Sequence, residues 1–341
     1  MPQHARNPFT PNFGSVPVWM AGRTRMINNL LDALDQGAGN PNLCTLVSGA
    51  RGSGKTALLT YISRQAGSHG WISADVTSQD GMLEDILQRS IEAADGKAKT
   101  STTEIKSISI PALASMSWEH QSGFEPNWRT KMNNLLEQLE KTDTGLLITV
   151  DEVRPRVTEM AQLVSVYQHF IREGRRVALL MAGLPHEVSG LLSDEDVSFL
   201  RRAAHQRIGN VTIAEAKIAL RRTIEYGNRS IGDSELDLAA EATLGYPYLM
   251  QLVGYYLWDA NVSSHTISMA DVKDGILIAR ADFESRVLEA TYSTLSAGDI
   301  RFLEAMLPDE GDSTLADISA RMGVASNYAS RSEEHTSELQ S

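Results

Sequence analysis

The sequence is poor in the residues that mark disulfide-bonded and metal-dependent proteins. Among its 341 residues there is one cysteine, Cys44, which lies inside the apolar run LCTLV. A single cysteine excludes an intramolecular disulfide framework, and its apolar neighbours indicate a buried thiol rather than a nucleophile or a metal ligand. The eight histidines show neither HExxH spacing nor a Cys/His ligand pattern, so no zinc centre is predicted.

Long apolar runs and excess positive charge are also lacking. No stretch of about 18 residues is apolar and free of charge, and the N-terminus MPQHARNPFTPNFG has no charged segment followed by an apolar one. We therefore expect a cytoplasmic protein without a membrane segment. The formal net charge of −12 argues against nucleic-acid binding through overall positive potential, although a local basic patch is not excluded.

The residue pattern predicts five segments. They are an N-terminal arm and linker helix at 1–40, an α/β core at 41–208, a helical domain at 209–290, a truncated helix-turn-helix at 291–330, and a tail at 331–341. The tail, RSEEHTSELQS, resembles the translation of a sequencing-adapter oligonucleotide. We therefore expect the native sequence to continue beyond Ser330.

The segment 41–208 predicts an α/β fold with a parallel sheet. The strand-like runs LCTLVSG, GWISADV, GLLITV and RVALLMAG alternate with helical patterns at 55–66, 80–94 and 157–172. Within this segment, EIKSISIPALASMSWEH predicts an extra hairpin or edge excursion that is broken by Pro111.

A glycine-rich loop lies between the first strand and the first helix of this core. The stretch GARGSGKT fits the pattern GxxxxGK[ST] in the strand, loop and helix context that the motif requires. Its glycines let backbone N–H groups converge on phosphate oxygens, Lys55 would contact the β and γ phosphates of ATP, and Thr56 would offer its hydroxyl to Mg²⁺. The predicted nucleotide-binding residues of the loop are Gly49, Ala50, Arg51, Gly52, Ser53, Gly54, Lys55, Thr56 and Ala57.

A second polar cluster follows the apolar run GLLITV. Asp151 and Glu152 come directly after this predicted strand, and the carboxyl ends of parallel strands share one edge of a sheet. Asp151 is therefore the candidate partner of Thr56 at Mg²⁺, and Glu152 is the candidate base that polarises the attacking water. A surface pair of acids is the alternative interpretation if this motif is taken alone.

Together these motifs make the sequence similar to the P-loop ATPases of the AAA+ type. MAGR, with Gly22 and Arg23, resembles the Gly-Arg box of initiator-type and archaeal-type ATPases, where the arm packs near the adenine. GYPYLMQLVGYYLW, with Gly245 and Pro247, resembles the Gly-x-Pro signature in the helical lid of the STAND and archaeal-ATPase groups. The resemblance covers about residues 5–330. It implies a parallel sheet in the order 5-1-4-3-2, a helical lid over the nucleotide and a C-terminal winged helix.

Two positions depart from the pattern of this family. The fourth predicted strand ends in Met-Ala-Gly at 181–183, where the family often places a polar side chain that senses the γ phosphate, so slow hydrolysis is expected. The lid has Pro247 where many AAA+ proteins carry a sensing arginine further along. Arg201 or Arg202 is a candidate replacement that reaches the phosphate in cis or from a neighbouring subunit; the alternative is a pair of surface arginines in helix caps or salt bridges.

Three functions remain open from the sequence, of which we favour the first. It is an ATPase switch, in which Mg²⁺-dependent hydrolysis of ATP to ADP repositions a winged helix that acts on DNA or on a partner protein. The second is an initiator-like or transposition-helper-like ATPase that binds DNA, although residues 291–330 carry six acids against two arginines. The third is a nucleotide-binding scaffold with little hydrolysis. Self-association is a further candidate interaction, and no membrane partner is expected.

Overall fold

The computed structural model describes residues 6–12, 14–100, 127–293, 295–309 and 313–324. The chain divides into two compact units, which are called the sheet unit (Arg23–Gly49 and Lys55–Ile208) and the helical unit (Met1–Gly22, Ala50–Gly54 and Gly209–Ser341). The predicted hairpin around Pro111, the end of the predicted winged helix and the tail at 331–341 lie outside the described residues.

Five parallel strands form the centre of the sheet unit. They are β1 (Cys44–Ser48), β2 (Trp71–Thr77), β3 (Gly145–Asp151), β4 (Val177–Gly183) and β5 (Ala204–Arg207). Their order is β2-β3-β4-β1-β5, which confirms the order that the family resemblance implies. Because neighbouring strands are parallel, their carboxyl ends share one edge of the sheet: Thr77 is paired with Asp151, and Ser48 with Gly183.

Helices cover this sheet and connect its strands. They are α1 (Thr24–Gln36), α2 (Lys55–Ala66), α3 (Met82–Thr100), α4 (Trp128–Glu140), α5 (Thr158–Arg172) and α6 (Pro185–Ser193). Short 3₁₀ segments occur at Pro41–Leu43, Gly67–His69 and Glu195–Arg202. Helix α2 begins at the motif lysine, Lys55, so the glycine-rich loop leads directly into a helix N-terminus.

The central strands are apolar along almost their whole length. Every residue of β4 is buried, and in β3 only the last residue, Asp151, is partly exposed. These strands pack with α3, α4 and α5 in one hydrophobic core, where burial of apolar area stabilises the fold by about 25 cal/mol per Å². Within β3 and β4 the charged residue is Asp151, which lies at the carboxyl end of β3 and belongs to the candidate site.

The fifth strand is one of the elements that the residue pattern did not reveal; α4 and α6 are others. The pattern placed the last core strand at RVALLMAG, which is β4, whereas AHQR forms β5 and pairs with β1 from Thr45 to Ser48. The residues of β5 alternate between half-buried and exposed, and none is β-branched or strongly apolar. An edge strand with one neighbour needs no apolar run, so hydropathy alone does not find it.

The helical unit has its own hydrophobic core. Its helices are α7 (Ile213–Tyr226), α8 (Asp233–Ala242), α9 (Pro247–Asp259), α10 (Met269–Phe283) and the short α11 (Glu289–Tyr292), with a π-helical turn at Glu284–Leu288 and a two-stranded sheet of β6 (Ser230–Ile231) and β7 (Thr266–Ile267). Phe9 of the N-terminal arm is 2% exposed and belongs to this core. Within the described ranges, no helix combines the length and apolar character needed to cross a bilayer.

Two further helices, α12 (Ala297–Met306) and α13 (Leu315–Met322), occupy the region of the predicted winged helix. A small hydrophobic cluster joins them: Phe302, Ile318 and Met322. Arg301 donates to the Met322 carbonyl at 2.9 Å, and the Arg321 guanidinium donates to both carboxylate oxygens of Asp309 at 2.6 and 2.7 Å. Both arginines of this helix pair are therefore bonded within the protein, and the pKa of Asp309 is lowered to about 2 by hydrogen bonds from Arg321 and Ser313.

The turn between α8 and α9 generates a prediction at Gly245. Its φ is +71°, and a Cβ atom there would lie 2.1 Å from the Val211 carbonyl oxygen. The Val211 N–H in turn donates to the Gly245 carbonyl at 2.8 Å, so the two backbones cannot separate freely. We expect Gly245→Ala to lower the free energy of unfolding by more than the roughly 1–2 kcal/mol of left-handed strain alone.

Urea denaturation followed by circular dichroism measures this loss. Gly174→Ala is the matched control, since Gly174 also has a positive φ, +74°, and a Cβ atom there would meet no atom within 4 Å. A loss for Gly245→Ala no larger than the loss for Gly174→Ala would contradict the close backbone approach.

Candidate functional site

The glycine-rich loop runs from the carboxyl end of β1 to the first turn of α2. The Gly49 N–H donates to the Gly183 carbonyl at 3.3 Å, which ties the start of the loop to the end of β4. The Lys55 Nζ donates to the Gly49 carbonyl at 2.7 Å, so the ammonium group lies over the backbone of its own loop. A lysine ammonium beside a helix N-terminus provides two sources of positive potential for one anion.

The middle of the loop, Ala50–Gly54, is called the crest. It groups with the helical unit. Two of its residues have left-handed backbones, with φ +71° at Gly52 and +93° at Gly54. Between them, Ser53 is 3% exposed and donates both its N–H (3.3 Å) and its hydroxyl (2.8 Å) to the Ala50 carbonyl. Alternation of left-handed and ordinary backbone directs successive N–H groups to one side, which forms a concavity suited to a phosphate.

Thr56 and Asp151 meet although 95 residues separate them in the sequence. The Thr56 hydroxyl donates to Asp151 Oδ2 at 2.5 Å, and the other carboxylate oxygen of Asp151 accepts the Glu152 N–H at 2.9 Å. Hydroxyl and carboxylate oxygens are the hard donors that Mg²⁺ prefers. The two predicted metal ligands are therefore brought together beside the loop, and their chemistry fits a magnesium ion.

Glu152 has a left-handed backbone, with φ +52°, which is uncommon for a residue with a side chain. Its side chain is 64% exposed and is paired with Arg154, whose Nη2 lies 3.1 Å from Glu152 Oε2. The motif did not identify Arg154, because this contact depends on the turn after β3. The turn is held by Ser78, which donates its N–H to the Asp151 carbonyl at 3.0 Å and accepts the Arg154 N–H on its hydroxyl at 3.2 Å.

The end of β4 offers no polar side chain to this region. Met181 and Ala182 are fully buried, and Gly183 contributes its carbonyl to the Gly49 N–H. The position at which the family resemblance expects a sensing side chain is thus occupied by backbone and apolar atoms.

The residues predicted on the base side are distributed over both units. Gly22 lies in the helical unit, and Arg23 immediately precedes α1 in the sheet unit. Pro247 is the first residue of α9, where its missing N–H and fixed φ suit a helix start. Their contact with a nucleotide base stays a prediction.

Arg201 and Arg202 are placed near the amino ends of the strands. Both residues precede the amino end of β5, which pairs in parallel with β1, and the glycine-rich loop follows the carboxyl end of β1. Arg202 lines a cavity of about 380 Å³ together with Cys44 and Val177, which begin β1 and β4. Arg201 donates its Nε–H to the Leu192 carbonyl at 3.0 Å. A contact of either guanidinium group with phosphate stays a prediction.

Comparison with known proteins agrees with this geometry. Residues 20–181 match the family model of the AAA ATPase domain. No curated protein matches the sequence.

Solved structures with the same fold cover nearly the whole chain. The ORC2 protein of Aeropyrum pernix, described in ADPNP and ADP complexes, is 14% identical over 97% of this chain and 89% of its own, with a TM-score of 0.67. A Walker-type ATPase of Pyrococcus abyssi is 14% identical over 94% and 90%, with a TM-score of 0.61. Cdc6p of Pyrobaculum aerophilum is 14% identical over 97% and 88%, with a TM-score of 0.54. At these identities the comparison shows the fold, which is that of the P-loop NTPases.

The positive φ of Glu152 generates a second prediction. Glycine adopts a positive φ without strain, whereas alanine and glutamate are strained in this conformation. We expect Glu152→Gly to raise the free energy of unfolding by about 1 kcal/mol relative to Glu152→Ala, because both variants lose the same exposed side chain and differ in backbone strain. Urea denaturation of the two variants measures the difference. Equal stability, or a less stable glycine variant, would show that the left-handed turn is not present in solution.

Proposed function

We propose that this chain is a Mg²⁺-dependent ATPase that hydrolyses ATP slowly and works as a nucleotide-driven switch. The observation that carries the proposal is the contact between the Thr56 hydroxyl and the Asp151 carboxylate, beside a loop that ends in Lys55. The match of residues 20–181 to the AAA ATPase domain supports it.

The loop residues bind the triphosphate. N–H groups of the loop and of the first turn of α2 donate to phosphate oxygens, and Lys55 exchanges its bond with the Gly49 carbonyl for bonds to the β and γ phosphates. Thr56 and Asp151 would hold Mg²⁺. When bound, this ion would offset the negative charge of the phosphates. Ala57 contributes its backbone N–H, since it lies in the same first turn.

Glu152 acts as the base. Its exposed carboxylate polarises a water molecule and takes its proton as the water oxygen bonds to the γ phosphorus and the bond from that phosphorus to the ADP oxygen breaks. Arg154 holds the carboxylate from one side through its bond of 3.1 Å, which orients Glu152. Asp151 positions Glu152 through the N–H of the intervening peptide.

Two observations favour slow turnover. The end of β4 supplies no polar side chain to the γ phosphate, and within one chain Arg201 and Arg202 lie at the other edge of the sheet. An arginine at the γ phosphate raises the hydrolysis rate of related enzymes by about 10³–10⁵. A partner subunit is one source of such a group, so self-association is part of the proposal. Gly22, Arg23 and Pro247 are proposed to flank the adenine.

Direct DNA binding by α12 and α13 has less support. Arg301 and Arg321, the two arginines between 291 and 330, are bonded to Met322 and Asp309 respectively. Acidic residues outnumber them three to one in that segment, with six acids to two arginines. Such a surface repels phosphate, so we propose that the C-terminal helices contact a partner protein as the nucleotide state changes.

This proposal predicts different failures for two substitutions. Lys55→Ala removes a cation that bonds phosphate, so the affinity for a fluorescent ATP analogue should fall by about 10- to 100-fold. Glu152→Gln removes the base and keeps the binding residues, so ATP should still bind while steady-state phosphate release falls by about 10²- to 10⁴-fold. Fluorescence titration and a phosphate-release assay measure these effects.

Lys141→Ala is the matched control, because Lys141 bonds Gln138 on the surface of the same unit. Unchanged nucleotide affinity in Lys55→Ala would refute the site. ATP binding by the wild-type chain without any phosphate release would leave the scaffold function in place of the ATPase.

A further inference from the structure

We propose that Tyr246 is a positioning residue for the phosphate loop, which holds the Arg51 carbonyl so that the Gly52 N–H faces the bound phosphate. This inference rests on the proposed function of the loop. Nothing in the motifs assigns Tyr246 a role, since it is the variable residue between Gly245 and Pro247.

The contact lies within the helical unit, to which the crest belongs. The Tyr246 hydroxyl donates to the Arg51 carbonyl at 2.8 Å, across 195 residues of sequence. The tyrosine ring is half-buried, with the ring of Phe283 edge-on at 5.8 Å and the ring of Tyr248 at 6.4 Å. Burial raises the pKa of Tyr246 above its ordinary value, so the hydroxyl keeps its proton and stays a donor at physiological pH.

The geometry of the peptide bond transmits this contact to the loop. All peptide bonds of the described residues are trans. In a trans peptide the carbonyl and the N–H of the same plane point in opposite directions. When Tyr246 fixes the Arg51 carbonyl, it also fixes the Gly52 N–H, which points away from the tyrosine. In loops of this kind, phosphate oxygens are bound by N–H groups that converge on the anion.

Gly52 has no side chain, and this leaves room for the Tyr246 hydroxyl. A Cβ atom at Gly52 would lie 2.0 Å from the Tyr246 hydroxyl oxygen and 2.6 Å from the carbon that bears it. At Gly54, a Cβ atom would meet nothing within 4 Å. The absent side chain at Gly52 therefore provides the space in which the tyrosine reaches the backbone.

The test is Tyr246→Phe in the full-length protein, because phenylalanine keeps the ring packing and removes only the hydroxyl. Loss of one hydrogen bond should raise the Kd for ADP and for Mg-ATP about fivefold. Adenosine, which has no phosphate, should bind with unchanged affinity. In steady-state assays KM should rise by about the same factor while kcat changes by less than about twofold.

Tyr256→Phe is the matched control. Tyr256 lies on α9, the helix that begins directly after Tyr246, and donates its hydroxyl to Asp282 at 3.0 Å, so this variant also loses one tyrosine hydrogen bond without touching the loop. Its nucleotide affinity should equal that of the wild type. A change in the ¹⁵N and ¹H shifts of the Gly52 amide in Tyr246→Phe, and not in Tyr256→Phe, would show the effect before any nucleotide is added.

Several results would overturn the inference. They are an unchanged Kd for ADP in Tyr246→Phe, an equal loss for adenosine and ADP, and an equal loss in Tyr256→Phe. Wild-type and Lys55→Ala proteins are measured beside these variants. If the wild type binds ATP, Lys55→Ala binds it much more weakly and Tyr246→Phe binds it as the wild type does, then only the role of Tyr246 is refuted. If the wild type does not bind ATP, the proposed function is refuted as well.

Discussion

The hydrogen bond between Thr56 and Asp151 is the interaction on which the site depends. Thr56 lies in the first turn of the helix that follows β1 and the loop, and Asp151 is the last residue of β3; β4 separates β1 from β3 in the sheet. Their meeting therefore requires three parallel strands in register, with Gly183 at the end of β4 bonded to the start of the loop. A slip of one residue in either pairing would move the side chains of β3 or β4 to the opposite face of the sheet and disrupt the packing on both buried faces. The same apolar packing that stabilises the sheet thus fixes the distance between the Thr56 hydroxyl and the Asp151 carboxylate, which are the proposed magnesium ligands.

The residues that stabilise the sheet and the residues proposed to carry the chemistry lie in different parts of it. The strands β3 and β4 contribute burial of apolar area, and an isolated charge within them would cost several kcal/mol, so their charged residue, Asp151, lies at a strand end. Backbone strain is also found next to it, because Glu152 has a left-handed backbone. The apolar core that holds β3 in place allows this strained residue to persist.

The sequence predicted the parts of this site that depend on local pattern. The loop, the start of α2 at Lys55 and the acid pair after a buried strand follow from short motifs and their apolar flanks, and the sheet order followed from the resemblance to a family. Contacts that depend on tertiary packing were not predictable. Tyr246 reaches Arg51 across 195 residues, and Arg154 reaches Glu152 through a turn that has no motif. The end of the sheet at which Arg201 and Arg202 lie was not predictable either, because the edge strand β5 carries no apolar signal.

The most direct test of the account is a double-mutant cycle on Mg-ATP affinity with Thr56→Val and Asp151→Asn. If both side chains hold the same magnesium ion, the second substitution should cost little once the first has been made, and calorimetric Kd values should show a coupling of about tenfold or more. With EDTA in place of magnesium the coupling should disappear. Independent effects that multiply in the double variant, or the same coupling without magnesium, would contradict a shared metal site at this edge of the sheet.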